Sequence, residues 1–148
     1  MSPNTSQTWA LHARDVLQRS GHHRGAARDK LIDLLSTQDC ALSALEIEDA
    51  LSTRGRRVSR ASIYRVLEEL EQIGMIQRLD IGRGMMRYEP VRHGGGHHHH
   101  LVCDRCGRLQ PFSDEGLERA IERLSGRVPL AVSEHEVVLR GACDLCAD

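Results

Sequence analysis

Ser59-Arg60-Ala61-Ser62-Ile63-Tyr64-Arg65-Val66-Leu67-Glu68-Glu69-Leu70-Glu71-Gln72-Ile73-Gly74 decides the fold of the first half of this chain. Ile63, Val66, Leu67, Leu70 and Ile73 recur at helical spacing, so one face is apolar and the other polar. Ser59 can cap the helix through its side-chain oxygen, and Gly74 stops it. After it, Met75 to Ile81 and Met85 to Tyr88 are short apolar segments around Gly82-Arg83-Gly84, which is a hairpin signal. Before it, Ser43-Ala44-Leu45-Glu46 is a capping box that opens another helix, with Leu45, Ile47, Ala50 and Leu51 facing inward. Two further helices are expected, over about 9–20 (Trp9, Leu11, Val16, Leu17) and about 26–36 (Leu31, Ile32, Leu34, Leu35). Three helices and then a hairpin is the order of a winged helix, whose helix before the wing enters the DNA major groove.

Charge distribution fits that reading better than total charge does. The net charge of −1 argues against a generally basic nucleic-acid binder. Yet Arg54, Arg56, Arg57, Arg60 and Arg65 fall within twelve residues that hold no acid. Arginine suits bidentate contact with phosphates and base edges, although a GC-rich genome would give the same bias.

Pro90 to Gly96 reads as a hinge, which divides the chain into 1–89, 90–96 and 97–148. Beyond it, His97-His98-His99-His100-Leu101-Val102-Cys103-Asp104-Arg105-Cys106 leads into a strand, and Leu109 to Phe112 reads as a second. Asp114 to Gly126 reads as an amphipathic helix with Leu117, Ile121 and Leu124 inward, and Ala131 to Leu139 as a last strand. The fold class expected is therefore α+β, a winged helix plus a small α/β domain. Met1 to Gln7 is polar, so no secretory signal is expected, and no segment has the length to span a membrane. A cytoplasmic location follows as an expectation.

Cys103, Cys106, Cys143 and Cys146 form two Cys-x-x-Cys pairs, each able to grip one ion. In a cytosolic chain this favours a closed structural zinc site over a redox pair or two disulfides. With aromatics at 3% of the chain, small domains have thin cores and a metal is a usual remedy. Strand alternation sends His97 and His99 one way, and His98 and His100 the other. Glu118 and His135 can complete the first pair. Candidates for the second are Glu89, His93, Asp80 and Cys40, although Cys40 alone is more often a buried small apolar residue. A nucleobase deaminase would need a glutamate in a His-x-Glu motif ahead of its cysteine pair, and none is present, so no enzyme is expected. A zinc-buffering protein would leave the arginine cluster without a purpose.

Ser62-Ile63-Tyr64-Arg65-Val66-Leu67, the run from His97 to Cys106-Gly107, His135, and Gly141-x-Cys143-x-x-Cys146 together resemble the ferric-uptake-regulator family. The resemblance spans about Gly21 to Cys146. It implies a dimeric, metal-dependent transcription factor with a winged-helix domain and a dimerisation domain carrying structural zinc at the four cysteines. It implies an inter-lobe metal site at His97, His99, Glu118 and His135, and a regulatory hinge site at Glu89, His98 and His100, for which Cys40, His93 or Asp80 is the available fourth ligand. It implies DNA contact by Tyr64 and Arg65, with Arg57, Ser59, Arg60 and Ser62 beside them. The N-terminal histidine of iron-type members falls near Cys40 or Ala41 and is absent. A cysteine that zinc-sensing members use falls at His93. His99 stands where iron sensors often have aspartate, which favours Zn2+ over Fe2+ or Mn2+ as the sensed metal. A peroxide-sensing iron regulator is the alternative within the same fold. The function expected is a metal-responsive repressor of metal-homeostasis genes that binds double-stranded DNA at an inverted repeat as a homodimer.

Overall fold

The computed structural model describes residues 3–22, 25–38, 40–82, 84–92 and 98–147. The chain divides into two compact units, Met1–Gly95 and Gly96–Asp148. The first holds helices α1 (Pro3–Arg19), α2 (Ala26–Ser36), α3 (Ala44–Thr53) and α4 (Arg60–Gln72), then strands β1 (Ile76–Asp80) and β2 (Met86–Pro90). The second holds β3 (His99–Cys103), β4 (Leu109–Phe112), α5 (Glu115–Ser125) and β5 (Val138–Gly141). None of the described helices is long and apolar enough to cross a membrane.

The core of the first unit is aliphatic. Leu31, Ile32, Leu34, Leu35, Ile47, Leu51, Ile63, Val66, Leu67 and Leu70 are buried together between α2, α3 and α4. Trp9 of α1 closes this cluster, and its indole N–H donates to the Met75 carbonyl at 3.1 Å, which fixes α1 against the start of the wing. Both expected caps form. Ser43 Oγ accepts from the Glu46 amide at 3.1 Å while Glu46 Oε2 accepts from the Ser43 amide at 2.7 Å. Ser59 Oγ accepts from the Ser62 amide at 3.2 Å. Gly74 has φ +72, a left-handed turn that ends α4 and reverses the chain into β1. β1 and β2 pair antiparallel from Ile76↔Pro90 to Asp80↔Met86. Arg87 of β2 is buried and donates to Glu46 Oε2 at 2.5 Å, so the wing and the α3 cap share one carboxylate. Leu70→Ala removes a side chain with no exposure from the α4 face. It should destabilise this unit by about 2–5 kcal/mol, read as a lower urea midpoint in the fluorescence of Trp9, the single tryptophan.

Three expectations are corrected here. α1 begins near residue 3, a turn and a half before the expected start, because the polar residues preceding Trp9 continue the helix. Leu45 is exposed, since it falls in the first turn of α3 on the side away from Ile47 and Leu51. The last strand is Val138–Gly141 and not 131–139, because residues 131–137 run alongside without a continuous ladder.

In the second unit β3 is central, with β4 antiparallel on one side and β5 parallel on the other. α5 has Asp114 as its cap, the carboxylate accepting from the Leu117 amide at 2.7 Å. No residue of α5 is buried. Leu124, expected to face inward, is 60% exposed, and Val128, Leu130, Val132 and Leu139 are exposed as well. The amphipathic pattern is real, but a single copy of the chain does not cover its apolar side.

Candidate metal centres and nucleic-acid interface

Parallel pairing of β3 with β5 builds the cysteine cage. The register runs from His100↔Val138 to Cys103↔Gly141, so both strands end at the same edge and each Cys-x-x-Cys turn emerges there. Asp104 donates its amide to the Gly141 carbonyl at 2.9 Å, which ties the turns together. Gly107, φ +74, closes the first turn by donating to the Cys103 carbonyl at 2.9 Å, a conformation that favours glycine. Cys146 donates to the Cys143 carbonyl at 2.8 Å and closes the second. One sulfur atom from each of the four cysteines lies within 4.8 Å of the others.

These sulfurs fit a tetrahedral ion. The Cys106–Cys143 separation is 3.7 Å, far beyond a disulfide bond of about 2.05 Å. It matches the edge of about 3.8 Å for a tetrahedron with metal–sulfur bonds of about 2.3 Å. Amide N–H groups of Cys106 and Cys143 point at Cys103 Sγ (3.5 and 3.4 Å) and lower its pKa to about 6. Cys146, crowded by the Cys143 and Cys106 sulfurs, is pushed up to about 12. Sulfurs packed this closely cannot all ionise without a cation among them.

A second donor group gathers on one side of β3. Glu118 of α5 holds two imidazoles at once, with Oε1 at 2.6 Å from His99 Nε2 and Oε2 at 2.9 Å from His135 Nε2. Burial opposes ionisation of Glu118, but these hydrogen bonds outweigh it and hold its pKa below the ordinary carboxylate value. His99 is fully buried, its Nδ1 accepts from the Val137 amide at 3.2 Å, and the Phe112 ring lies 5.5 Å away. The three donor atoms lie within 4.8 Å of one another. Two imidazoles and a carboxylate are a donor set that suits zinc or another borderline divalent ion. His97, expected in this group, lies outside the described residues, as does His93.

The adjacent histidine belongs to another neighbourhood. His100 is buried, its ring 5.0 Å from that of His98, and its Nδ1 lies 3.5 Å from Glu136 Oε1. Period-two alternation therefore separates His99 from His100. Glu136 escaped the sequence reading, although the same alternation that pairs His135 with His99 puts its neighbour beside His100. Glu89 of β2 is buried, and Gln77 Nε2 of β1 donates to its Oε1 at 2.5 Å. Asp80 is exposed and its Oδ1 accepts from the Gly82 amide at 2.8 Å, which shapes the wing turn. Cys40 is half-buried; desolvation raises its thiol pKa. Among the described residues neither Asp80 nor Cys40 joins a group of three or more convergent donors.

On the first unit, Arg57, Tyr64 and Arg65 are exposed, with Tyr64 on the α4 face opposite Ile63, Val66, Leu67 and Leu70. Ser59 and Ser62 are half spent on the cap, their hydroxyls 2.8 Å apart. Arg60 is held by Glu48 of α3 at 2.8 Å, a partner absent from the sequence reading.

A winged-helix unit joined to a unit with two convergent donor groups is the build of a metal-dependent DNA-binding protein. The model of the ferric uptake regulator family matches residues 19–140. A ferric uptake regulation protein of Legionella pneumophila is 32% identical over 120 residues, 80% of this chain and 87% of that one. One of Bacillus subtilis is 28% identical over 114 residues, 76% of each chain. Among solved structures, the Vibrio cholerae ferric uptake regulator superposes with a TM-score of 0.77 at 28% identity, covering 87% of this chain and 98% of that one. This chain belongs to the ferric uptake regulator family, whose members are metal-responsive, DNA-binding transcription regulators.

Proposed function

We propose that this chain is a repressor of metal-homeostasis genes that binds double-stranded DNA as a homodimer when its regulatory site is loaded. The observation that carries the reading is the division of adjacent histidines, His99 and His100, between two neighbourhoods on one strand. One short segment can thereby serve a site that shapes the second unit and another that senses. In this reading Cys103, Cys106, Cys143 and Cys146 hold structural zinc. His97, His99, Glu118 and His135 form the inter-lobe site, and Glu89, His98 and His100 form the regulatory site, with Cys40, His93 or Asp80 as fourth ligand. A bound divalent ion supplies Lewis-acid cross-linking between donors from different parts of the chain.

The residues do the rest. Glu89 sits on β2, which follows α4 through the wing, and His98 and His100 open the second unit. Ligands on both sides of residues 90–96 link the orientation of the winged helix to metal, since a ligand shifts a conformational equilibrium by its differential affinity. The exposed apolar residues of α5 and the segment after it support a dimer, in which a second copy covers them. A two-fold dimer reads an inverted repeat with one α4 per half-site, Tyr64 and Arg65 at the base edges and Arg57 and Arg60 beside them. Ser59 and Ser62 set the angle of that helix through the cap. Imidazole-rich donors favour Zn2+ over Fe2+ or Mn2+ as the sensed ion. A regulator of this kind works in the cytoplasm, where the DNA is.

The test is a gel shift of the full-length protein on DNA from its own promoter, with chelator and then with Zn2+, Fe2+ or Mn2+. Affinity should rise about 5–150-fold with the cognate metal, the range of coupling between linked sites, and most with Zn2+. Equal binding with and without metal would end the co-repressor reading.

A further inference from the structure

We propose that Glu136 is a positioning residue for His100, and so sets the metal affinity of the regulatory site. The inference rests on the reading of His100 as a regulatory ligand. It starts from how β5 and the residues before it lie along β3. His100 donates its amide to the Val137 carbonyl at 3.1 Å, and His100 pairs with Val138, so residues 135–137 run beside the two histidines in fixed register. His135 meets His99 through Glu118, Val137 donates its amide to His99 Nδ1 at 3.2 Å, and Glu136 faces His100 Nδ1 at 3.5 Å.

The consequence is the same for both rings. Val137 engages Nδ1 of His99 and Glu136 faces Nδ1 of His100, which leaves Nε2 as the other nitrogen of each ring. For His99 that atom reaches Glu118. For His100 it becomes the ligating atom. A ligating histidine needs its other nitrogen oriented, and a carboxylate is a usual partner, because it fixes the ring and makes the ligating nitrogen a better donor.

The local setting explains the weight of this contact. The His100 side chain is almost wholly buried, whereas Glu136 is about half-exposed at 48%. Its carboxylate reaches in from solvent and can adjust at little cost. At 3.5 Å the pair is a charge contact, slightly long for a hydrogen bond. A cation held at the other nitrogen would draw positive charge onto the ring and strengthen this contact. A surface ion pair without that role would leave metal affinity unchanged on removal.

The full-length protein carries the test, with Zn2+ titrated against a chromophoric chelator. Glu136→Leu is expected to weaken about 10–100-fold the zinc site that His100→Ala removes, the usual effect of losing such a partner. Zinc held by the four cysteines should stay at one per chain, and the melting temperature should stay within about 2 °C. Glu136→Gln, which keeps an acceptor oxygen, should recover part of the loss. A Glu136→Leu protein whose zinc titration stays within twofold of wild type overturns the proposal. His100→Ala separates the two readings. If it removes a zinc site other than the four-cysteine one while Glu136→Leu leaves the titration within twofold of wild type, only the positioning role fails. If it too leaves the titration unchanged, the regulatory assignment fails and the role of Glu136 fails with it.

Discussion

Cys143→Ser is expected to unfold the second unit while leaving the first intact. Among the described residues, that unit buries Val102, Cys103, His99 and His100 and little else, and α5 buries nothing. Its hydrophobic effect is therefore small, since apolar burial stabilises by about 25 cal/mol per Å². The sulfur cage joins the ends of β3 and β5, which are otherwise held by four paired positions. Structural zinc sites contribute apparent free energies of about 10–16 kcal/mol at neutral pH. That matches the whole stability of a typical domain, about 5–15 kcal/mol. Cys143 suits the substitution better than Cys103, because it is only half-buried and serine there disturbs little packing. Zinc content should fall by one per chain, amide protection in 98–147 should collapse, and the dimer should dissociate. The thermal transition seen by Trp9 should persist. A Cys143→Ser protein that keeps a chelator-resistant zinc and a protected β3 would exclude the cage as the staple of this unit.

The helices and their caps were legible because each rests on local signals. Ser43 with Glu46 and Ser59 with Ser62 act within one turn, and Ile63, Val66, Leu67 and Leu70 are buried as the spacing of α4 predicts, while Ile73 falls at its C-cap and is partly buried. The cysteine cage was legible from spacing, although the reason the two pairs meet is the parallel β3–β5 register, which no local pattern encodes. The inward face expected for α5 holds only in part, with Leu117 and Ile121 half-buried and Leu124 exposed, for a related reason. Periodicity shows that a helix has an apolar face but not which chain covers it, and Leu124 stays exposed in a single copy. Arg60 shows a different limit. Its position in the basic cluster was evident, but its partner Glu48 lies twelve residues away on another helix. Glu136 was missed because partners for His98 and His100 were sought in the wing and the first unit, whereas the segment before β5 supplies this one.

Tyr64→Ala with Arg65→Ala is expected to abolish specific DNA binding without touching fold or metal. Both side chains leave α4 on its exposed face, Tyr64 at 48% exposure, while Ile63 and Val66 on either side of the pair are buried. Truncation therefore opens no cavity, and stability should change by less than about 0.5 kcal/mol. The loss falls on recognition. A bidentate arginine contact with a base edge discriminates by about 1–3 kcal/mol. A two-fold dimer loses one such contact per half-site, so affinity should drop at least about 30-fold at a tenfold change per 1.4 kcal/mol. Salt tells what kind of contact was lost. If Arg65 grips phosphate, the variant's log–log salt slope falls by about one per half-site; if it reads bases, discrimination between operator and random DNA falls and the slope stays. Arg60 is a useful contrast, because Glu48 already neutralises it and Arg60→Ala should cost less. Wild-type affinity in the double variant would remove α4 from the groove and shift the basis for DNA contact to the arginines of the preceding loop, Arg54, Arg56 and Arg57. Unchanged zinc content and an unchanged Trp9 transition make either outcome a statement about the interface alone.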